Sequence, residues 1–464
     1  MSVIRLYDSA TGEVREVRPR DPGRLAMYVC GPTVYDLPHL GHGRFALVWD
    51  VARRWFTFRG LVVDYVSNVT DIDDKIIARA AREATSEHEV AATYEDEWWR
   101  ALARLGVAAP THAPHATHYV ESMVTLIGEL VARDVAYRTG DGVYFDVACV
   151  PDYGLLAGQP LDSLRAGARV EANEEKRSVL DFALWKAAKP GEPHWASPFG
   201  EGRPGWHTEC VVMSLDLLGE GFDLHCGGLD LKFPHHENER AQAAALGRPF
   251  ARHWAHNGWV MVGEQKMSKS LDNFTTLTDL LARTDPRAYR LLVLRAHYRS
   301  PVEVTAATIA DATRALERLD ALARRFALPR LAGASLVRDE VEWRGEAAAL
   351  AAAVGTHLDD DLNTPVAVAA LFEAVTRTHA LADEGRADEA GQLALAVAVL
   401  FGAMGLALED RREEIDAHSA ELVARRDAAR AARDWARADE LRDQLGAQGW
   451  LVEDGPAGTF VRRP

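Results

Sequence analysis

The sequence has few cysteines and no long apolar run. Its four cysteines, Cys30, Cys149, Cys210 and Cys226, are widely spaced in a chain of 464 residues. This spacing does not fit a disulfide framework and favours a metal site or a reactive thiol. No apolar stretch reaches the roughly 18 residues that a membrane span needs, and the first residues lack the basic-then-apolar pattern of a signal peptide. We therefore expect no membrane association and a cytoplasmic location.

Lysine is scarce as well. Only seven of the 53 basic residues are Lys, and the remainder are Arg. The side chain of Lys ends in a compact ammonium, whereas that of Arg ends in a planar guanidinium. In a chain this rich in Arg, a Lys indicates a position where a compact charge is needed. Lys266 and Lys269 lie close together, which chance spacing on a surface loop would also explain. The net charge of −16 excludes a protein that coats nucleic acid, but it allows a local basic surface that binds RNA.

The order of apolar patterns near the N-terminus predicts an α/β fold. The apolar run 24–30 ends at Gly31-Pro32, as a strand followed by a turn does. Phe45–Phe56 is apolar at helical spacing, and Leu61–Val66 is a second strand. This order favours a Rossmann-like parallel sheet that binds ligands at the carboxyl ends of its strands.

The remainder of the chain changes character twice. Residues 75–137 are predicted to be mainly helical, whereas 138–200 are rich in Gly, Pro and charge and resemble an insertion. The chain is again predicted to be helical from about 276 to 448, with Thr364 as an N-cap and Pro365 in the first turn. Shorter strands are predicted at 143–147, 211–218, 222–225 and 259–262, and a hairpin at 450–461.

Two motifs indicate a nucleotide site. His39-Leu-Gly-His42 stands where the first loop enters a helix, so both imidazoles share a helix face, Gly41 allows close approach of a ligand, and the helix N-terminus attracts anions. Paired histidines in such a place are also common as helix caps. The second motif, Lys266-Met-Ser-Lys-Ser270, offers ammonium and hydroxyl groups to the charge that develops as pyrophosphate leaves. With both motifs in this order, the sequence resembles the class I aminoacyl-tRNA synthetases, which implies that they bind ATP.

A metal site is indicated by residues that are distant in sequence. His235 and Glu239 are four residues apart and share a helix face, a usual geometry for two ligands. Cys30 ends the first strand, beside the nucleotide motif, and Cys210 precedes the His235 segment. The separations do not match a zinc finger, and any one buried cysteine is more often a small apolar residue.

Several segments together resemble the cysteinyl-tRNA synthetases. They are Met27-Tyr-Val-Cys-Gly-Pro-Thr-Val-Tyr-Asp36, Asn68-Val-Thr-Asp-Ile-Asp-Asp-Lys75, Glu174-Glu-Lys-Arg177, Asp181-Phe-Ala-Leu-Trp-Lys186, Gly205-Trp-His207, Phe233-Pro-His-His-Glu-Asn-Glu239 and Arg433-Asp-Trp-Ala-Arg-Ala-Asp-Glu-Leu-Arg442. The resemblance implies one Zn²⁺ per chain, bound by Cys30, Cys210, His235 and Glu239. It also implies an amino-acid pocket lined by Thr70, Trp206 and His225.

The resemblance implies a two-step reaction. L-cysteine and ATP, the latter with Mg²⁺, would give cysteinyl-adenylate and pyrophosphate, and tRNA(Cys) would then accept the cysteinyl group on its terminal ribose. His39 and His42 would hold the phosphates, and Lys266 and Lys269 would stabilise the transition state. Zinc prefers a thiolate to a hydroxyl, whereas apolar walls separate cysteine from serine by only about 1–3 kcal/mol. The alternative is a closed structural zinc with four protein ligands.

The resemblance also implies a modular monomer. The expected segments are the first half of the catalytic Rossmann domain (1–137), an inserted connective segment (138–200), the second catalytic half with the lysine loop (201–275), a helical stem-contact region (276–335), a helical-bundle tRNA-binding domain (336–410) and a C-terminal anticodon-binding module (411–464). Arg and aromatic side chains suit unpaired anticodon bases. The candidates on one probable helix are Arg425, Arg430, Arg433, Trp435 and Arg437, with Arg426 beside them. A solvated helix with ion pairs four residues apart would show the same pattern.

Two positions depart from the family pattern, and two rival functions stay open. Asp272 stands where the family commonly has Gly, and Cys226 is a second thiol beside His225. One rival is the mycothiol-pathway cysteine:amino-sugar ligase, which shares the zinc and ATP motifs but lacks the far C-terminal module. The other is a non-catalytic RNA-binding paralogue, which would require damaged motifs, and both motifs are intact here.

Overall fold

A computed structural model describes residues 3–158, 175–261, 276–331, 343–410, 415–455 and 458–462. The Lys-Met-Ser-Lys-Ser motif, with Lys266 and Lys269, and the neighbouring Asp272 lie outside the described residues. Among the described helices, none has the length and apolar character that a bilayer span requires.

The described elements alternate between strands and helices in the first 260 residues and are mostly helical thereafter. The strands are β1 (Arg5–Asp8), β2 (Glu13–Glu16), β3 (Arg24–Val29), β4 (Val62–Ser67), β5 (Ala136–Thr139), β6 (Gly142–Phe145), β7 (Phe182–Ala187), β8 (Gly202–Pro204), β9 (Leu224–Gly228), β10 (Trp254–Asn257), β11 (Val260–Met261), β12 (Val302–Glu303), β13 (Leu451–Gly455) and β14 (Gly458–Arg462). The α-helices are α1 (Leu40–Phe58), α2 (Asp74–Glu83), α3 (Glu87–Arg104), α4 (Val120–Ala132), α5 (Trp206–Leu218), α6 (Glu237–Ala245), α7 (Leu277–Arg283), α8 (Pro286–Leu294), α9 (Ala306–Phe326), α10 (Gly345–Asp359), α11 (Thr364–Asp383), α12 (Ala387–Ala403), α13 (Ala417–Ala431) and α14 (Trp435–Ala447).

The central sheet is parallel, with strand order β10-β9-β3-β4. Helix α1 connects β3 to β4, which confirms the strand–helix–strand order predicted from the sequence. Strand β3 is buried on both faces, as parallel strands covered by helices are. Its alternate residues Leu25, Met27 and Val29 belong to one core, whereas Ala26 and Tyr28 belong to the core on the opposite face.

The segment predicted as an insertion contributes to a separate antiparallel sheet, β5-β6-β7-β8, which begins at Ala136 and ends at Pro204 and includes a strand close to the predicted 143–147. The strand prediction for 211–218 is wrong, because these residues form the body of α5. A short apolar run does not by periodicity distinguish a buried strand from a buried helix. Gly205 precedes this helix as its N-cap, and Gly219, with a φ of 77°, ends it.

The C-terminal part is helical, as predicted, and ends in the antiparallel β13–β14 hairpin. The prediction of Thr364 as an N-cap is wrong by one residue. Helix α11 already includes Thr364, and Asn363 occupies the cap position without a side-chain hydrogen bond to the helix. Pro365 is in the first turn, where its missing N–H leaves no intrahelical bond unmade.

A buried ionic network joins the sheet domain to the helices that follow it. The Asp50 carboxylate on α1 accepts hydrogen bonds from Arg54 at 2.8 Å and from Arg290 of α8 at 2.7 Å. Arg290 also donates to the carbonyls of Leu105 and Met404. The side chains of Asp50 and Arg290 are each 1% exposed. The helix that begins at the nucleotide motif is thus fixed, at its middle, to the helical region.

Candidate active site and metal centre

A cavity of about 440 Å³ opens at the carboxyl ends of the parallel strands. This is the edge of an open α/β sheet where ligands bind. The loops after β3, β9 and β10 contribute to its wall, and so does the N-terminus of α1. The lining residues include Cys30, His39, Gly41, His42, Lys75, Trp206 and Asp230.

The two histidines of the first motif cap α1 reciprocally. The backbone N–H of His42 donates to Nδ1 of His39 at 3.2 Å, and the backbone N–H of His39 donates to Nδ1 of His42 at 3.4 Å. The rings stack with their centroids 3.6 Å apart. Because each Nδ1 is an acceptor, each ring carries its proton on Nε2 and can donate a hydrogen bond to a ligand.

Both rings are neutral at pH 7. Burial lowers the pKa of His42 to about 3, and burial also lowers the pKa of His39. Gly41 lies between them, and a Cβ at this position would come within 2.9 Å of Cε1 of His39. A side chain there would therefore displace the His39 ring.

The four residues predicted as metal ligands form one buried cluster. Cys30 follows β3, Cys210 lies in α5, His235 lies in the turn at 232–236 that leads into α6, and Glu239 lies in the first turn of α6. Sγ of Cys30 is 3.7 Å from Sγ of Cys210 and 3.6 Å from Oε1 of Glu239. Nε2 of His235 is 3.6 Å from Sγ of Cys210 and 3.0 Å from Oε1 of Glu239.

These separations fit the edges of a tetrahedral metal site. Zinc bonds of about 2.3 Å to sulfur and about 2.0–2.2 Å to nitrogen or oxygen place the ligand atoms about 3.3–3.8 Å apart. Three of the four edges above fall in that range, and the His235–Glu239 edge is slightly shorter. Nδ1 of His235 is 2.9 Å from Nδ1 of His207. This partner leaves Nε2 of His235 to face the cluster, as an outer-shell partner of a metal ligand does.

The electrostatics of the cluster also favour a cation. Burial raises the pKa of the Cys30 thiol well above its usual value, and the nearby Cys210 and Glu239 raise it further. Burial raises the pKa of Cys210 as well. A metal ion needs thiolates as ligands, and it supplies the positive charge that stabilises them in a buried place. The residues present therefore fit a bound divalent metal.

Of the further histidines at this cluster, the sequence predicted only His225, as a residue of the amino-acid pocket, and not His236 or His256. A second, overlapping set consists of Cys30, His225, His236 and Glu239. Nε2 of His236 is 3.3 Å from Sγ of Cys30, and its Nδ1 is 2.9 Å from His256. The consecutive histidines at 235 and 236 were a signal for this set. His256 has no such signal, because only the pairing of β10 with β9 brings it near.

Cys226 belongs to neither set. Strand β9 sends successive side chains to opposite faces, so His225 lies on the side of the cluster and Cys226 packs in the opposite core. Cys226 is buried and its thiol is free, as are the thiols of the other three cysteines. Cys149 is exposed and lies outside both sets.

The three residues expected in the amino-acid pocket differ in how they relate to the cluster. Trp206 lines the cavity, and its ring stacks on His235 at a centroid distance of 4.1 Å. Thr70 is buried and donates to Glu209 at 2.8 Å. His225 is also buried, with Nε2 2.7 Å from Glu239, and its Nδ1 has no hydrogen-bond partner among the described residues.

The expected anticodon residues do not lie on one helix. Helix α13 carries Arg425 and Arg430, Arg433 stands between the helices with a φ of 58°, and α14 carries Trp435 and Arg437. Trp435 is 60% exposed, which is unusual for so large an aromatic side chain. The four arginines are available at the surface to different extents, and three of them form ion pairs: Arg425 with Glu421 at 3.9 Å, Arg430 with Asp454, and Arg437 with Glu440. The nearby Arg426 is buried against Asp454 and Thr459, which gives it a structural role.

Three family models match consecutive parts of the chain. A class I (C) tRNA synthetase catalytic domain matches residues 16–314, a DALR domain matches 353–409, and a cysteinyl-tRNA ligase anticodon-binding domain matches 412–462. The chain belongs to the cysteinyl-tRNA synthetase family. A cysteine–tRNA ligase of Chromobacterium violaceum is 46% identical over 99% of this chain and 100% of its own length. The corresponding protein of Nitrosomonas eutropha is 44% identical over the same shares.

Solved structures of other synthetases share the fold of this family member. A methionyl-tRNA synthetase of Mycobacterium tuberculosis in complex with methionyl-adenylate superposes with a TM-score of 0.61, covering 82% of this chain and 89% of that one. A LeuRS–tRNA complex of Agrobacterium radiobacter gives a TM-score of 0.60, covering 84% and 85%. Their identities of 14% and 13% show the fold alone. They confirm the expected α/β class I architecture.

Proposed function

We propose that the chain is a cysteine–tRNA ligase. In the first step the carboxylate of L-cysteine attacks the α-phosphate of ATP, which forms cysteinyl-adenylate and releases pyrophosphate. In the second step a terminal ribose hydroxyl of tRNA(Cys) takes the cysteinyl group and releases AMP. The observation that carries the proposal is that Cys30 belongs to the thiol-containing cluster and also lines the nucleotide cavity. A substrate thiol held at the cluster would thus lie next to bound ATP.

We assign Zn²⁺ to the set Cys30, Cys210, His235 and Glu239. This set contains two thiol ligands and its edges fit tetrahedral bonds, whereas the overlapping set contains one. Zinc would supply a soft Lewis acid that prefers the thiolate of cysteine to the hydroxyl of serine. Trp206, Thr70 and His225 would enclose the rest of the amino acid. Trp206 contacts His235, His225 contacts Glu239, and Thr70 contacts Glu209, which precedes Cys210 in the chain.

The chain's own residues would act mainly by position and charge. His39 and His42 would donate their Nε2 protons to phosphate oxygens, since both rings are neutral and their Nδ1 atoms are occupied. Gly41 would keep the His39 ring in place. Lys266 and Lys269, which lie outside the described residues, would stabilise the charge on the departing pyrophosphate, and Mg²⁺ would accompany ATP.

The acceptor end of the tRNA has a groove available beside the cavity. A groove of about 1020 Å³ runs between the insertion sheet and α5, and Trp206 lines both spaces. The charged lining of the groove is balanced, with four basic and four acidic side chains: Lys176, Lys186, Lys189, Arg203, Asp73, Asp74, Asp141 and Asp181. Aromatic rings such as that of Trp206 suit the bases of a single-stranded RNA end.

The C-terminal part of the chain is proposed to bind the anticodon. The anticodon-binding assignment of 411–464, with Arg425, Arg430, Arg433, Trp435 and Arg437 as contacts, agrees in position with the matched anticodon domain. The same match disfavours the mycothiol-pathway ligase, which lacks this module. We also propose a cytoplasmic monomer with the six segments given above.

The decisive experiment combines two assays on the purified protein. ATP–pyrophosphate exchange should require cysteine, with serine giving at most a trace, and the activated amino acid should then be transferred to tRNA(Cys). Exchange with serine at a comparable rate, or cysteine activation without transfer to the tRNA, would contradict the proposal. Incubation with a strong chelator should abolish discrimination between the two amino acids, and added zinc should restore it.

A further inference from the structure

The nucleotide cavity has little fixed positive charge among its described residues. Its two imidazoles are neutral, because burial lowers the pKa of both. The charged side chains among the described lining residues are Lys75 and Asp230. ATP brings up to four negative charges, and Lys75 is the one cationic side chain among the described lining residues that could bind them.

Lys75 lines the cavity and is preceded in the sequence by two carboxylates. Asp73, the N-cap of α2, accepts a hydrogen bond from the backbone N–H of Lys75 at 2.9 Å. Asp74 is engaged by Lys186 and Arg203 of the insertion sheet, and although burial alone would raise the pKa of Asp74, these two cations hold it below its usual value. Asp73 thus binds the backbone of Lys75 and Asp74 binds two other cations, and neither forms an ion pair with the Lys75 ammonium.

The ammonium itself faces the space in front of the histidine pair. Nζ of Lys75 is 5.1 Å from the centroid of the Tyr35 ring, and Tyr35 also lines the cavity. Burial, then His39, and then the positive charge of Lys75 lower the pKa of His42. Within the described ranges, no carboxylate forms an ion pair with Lys75. An exposed ammonium over an aromatic ring, beside two N–H donors, is a site for an anionic ligand.

We propose that Lys75 binds the β- and γ-phosphates of ATP, together with His39 and His42, and then binds the pyrophosphate that is released. The inference deepens the proposed function and rests on it for the identity of the reaction. It adds a third residue to the phosphate site, independent of the two lysines in the second motif. In a chain whose cations are nearly all Arg, a Lys here supplies a compact charge that can follow the phosphates as they separate.

If Lys75 only stabilised the fold, its removal would lower the stability of the protein and would not distinguish ATP from AMP. The side chain is exposed and its described contact is with one ring, so its removal should leave the urea midpoint of unfolding essentially unchanged. Loss of a charge-assisted contact to phosphate should instead weaken ATP binding by about 10-fold or more. AMP lacks the β- and γ-phosphates, so its binding should be nearly unaffected.

The test uses three variants of the full chain: Lys75→Met, Lys75→Arg and Arg82→Met. Arg82 is exposed on the same helix and does not line the cavity, so it controls for the loss of one positive charge. The dissociation constants of ATP, AMP and pyrophosphate are measured by competition with a fluorescent ATP analogue. We expect Lys75→Met to weaken binding of ATP and pyrophosphate by about 10-fold or more, with AMP unchanged. Lys75→Arg should restore part of the affinity, and Arg82→Met should match the wild type.

Two results would overturn the inference: wild-type ATP affinity in Lys75→Met, or an equal loss for AMP and ATP. The binding assays contain no cysteine, so their outcome does not depend on which amino acid the enzyme activates. If the wild type failed to exchange pyrophosphate with cysteine while Lys75→Met still lost ATP affinity selectively, the proposed function would be wrong and the role of Lys75 would stand.

Discussion

The two buried cysteines Cys210 and Cys226 provide a matched test of the metal centre. Both are free, both are buried, and they lie on opposite sides of the central sheet. The Cys210 sulfur is part of a four-ligand cluster, whereas Cys226 packs among apolar side chains. We predict that Cys210→Ala loses its metal and that Cys226→Ala retains one metal ion per chain.

The size of the effect follows from the cluster. Zinc sites with four protein ligands have apparent binding free energies of about 10–16 kcal/mol. If the four ligands contribute comparably, removal of the Cys210 sulfur costs about 3–4 kcal/mol, or roughly 10²–10³-fold in metal affinity. Cys226→Ala removes one buried sulfur atom from a packed core and should lower the free energy of unfolding by about 1–2 kcal/mol. The first change thus affects metal affinity, and the second affects stability.

The assay is metal content by mass spectrometry after dialysis against zinc buffered at a series of free concentrations. Urea unfolding of the same samples reports the stability of each variant. Retention of metal by Cys210→Ala, or its loss from Cys226→Ala, would refute the assignment. The overlapping set is tested in the same way, since His235→Asn should lower the metal affinity much more than His236→Asn does.

Three further predictions concern catalysis and stability. Lys269→Ala should slow ATP–pyrophosphate exchange by about 10²-fold or more, and an unchanged rate would reject its role in stabilising the transition state. Asp50→Ala leaves Arg54 and Arg290 buried without their shared carboxylate, so urea unfolding should show a loss of about 3–5 kcal/mol; a loss below 1 kcal/mol would mean that the network does not stabilise the fold. The pKa of His42 is about 3 in the folded chain and about 6.5 in the unfolded one. Between pH 6 and pH 5 the unfolded state therefore holds this proton and the folded state does not, so lowering the pH over this range removes about 1 kcal/mol of stability. Urea unfolding of His42→Gln at both pH values should show a correspondingly smaller decrease than the wild type, and equal decreases would contradict the neutral state of His42.

The sequence predicted the parts of the fold whose signals are local. The strand–helix–strand order at 24–66 and the final hairpin depend on apolar spacing and on Gly and Pro, and these signals can be read directly from the sequence. The run 211–218 was predicted as a strand and is a helix, because eight mostly apolar residues buried in the core show neither period. The cap at Thr364 was wrong by one residue, which is within the usual uncertainty of a helix end.

The proposed metal site shows what local signals leave out. Its candidate ligands come from the end of β3, from α5, from the turn before α6 and from the first turn of α6, so they are separated by up to 209 residues along the chain. The family resemblance proposed the four residues. The turn that carries His235 also carries His236, and the parallel pairing of β10 with β9 brings His256 within 2.9 Å of His236. The same pairing resolves the question of Cys226. In a strand buried on both faces, adjacent side chains point to opposite faces. Because His225 faces the cluster, the thiol of the next residue, Cys226, points away from it. Closeness in sequence made Cys226 a rival ligand, and strand geometry removes it.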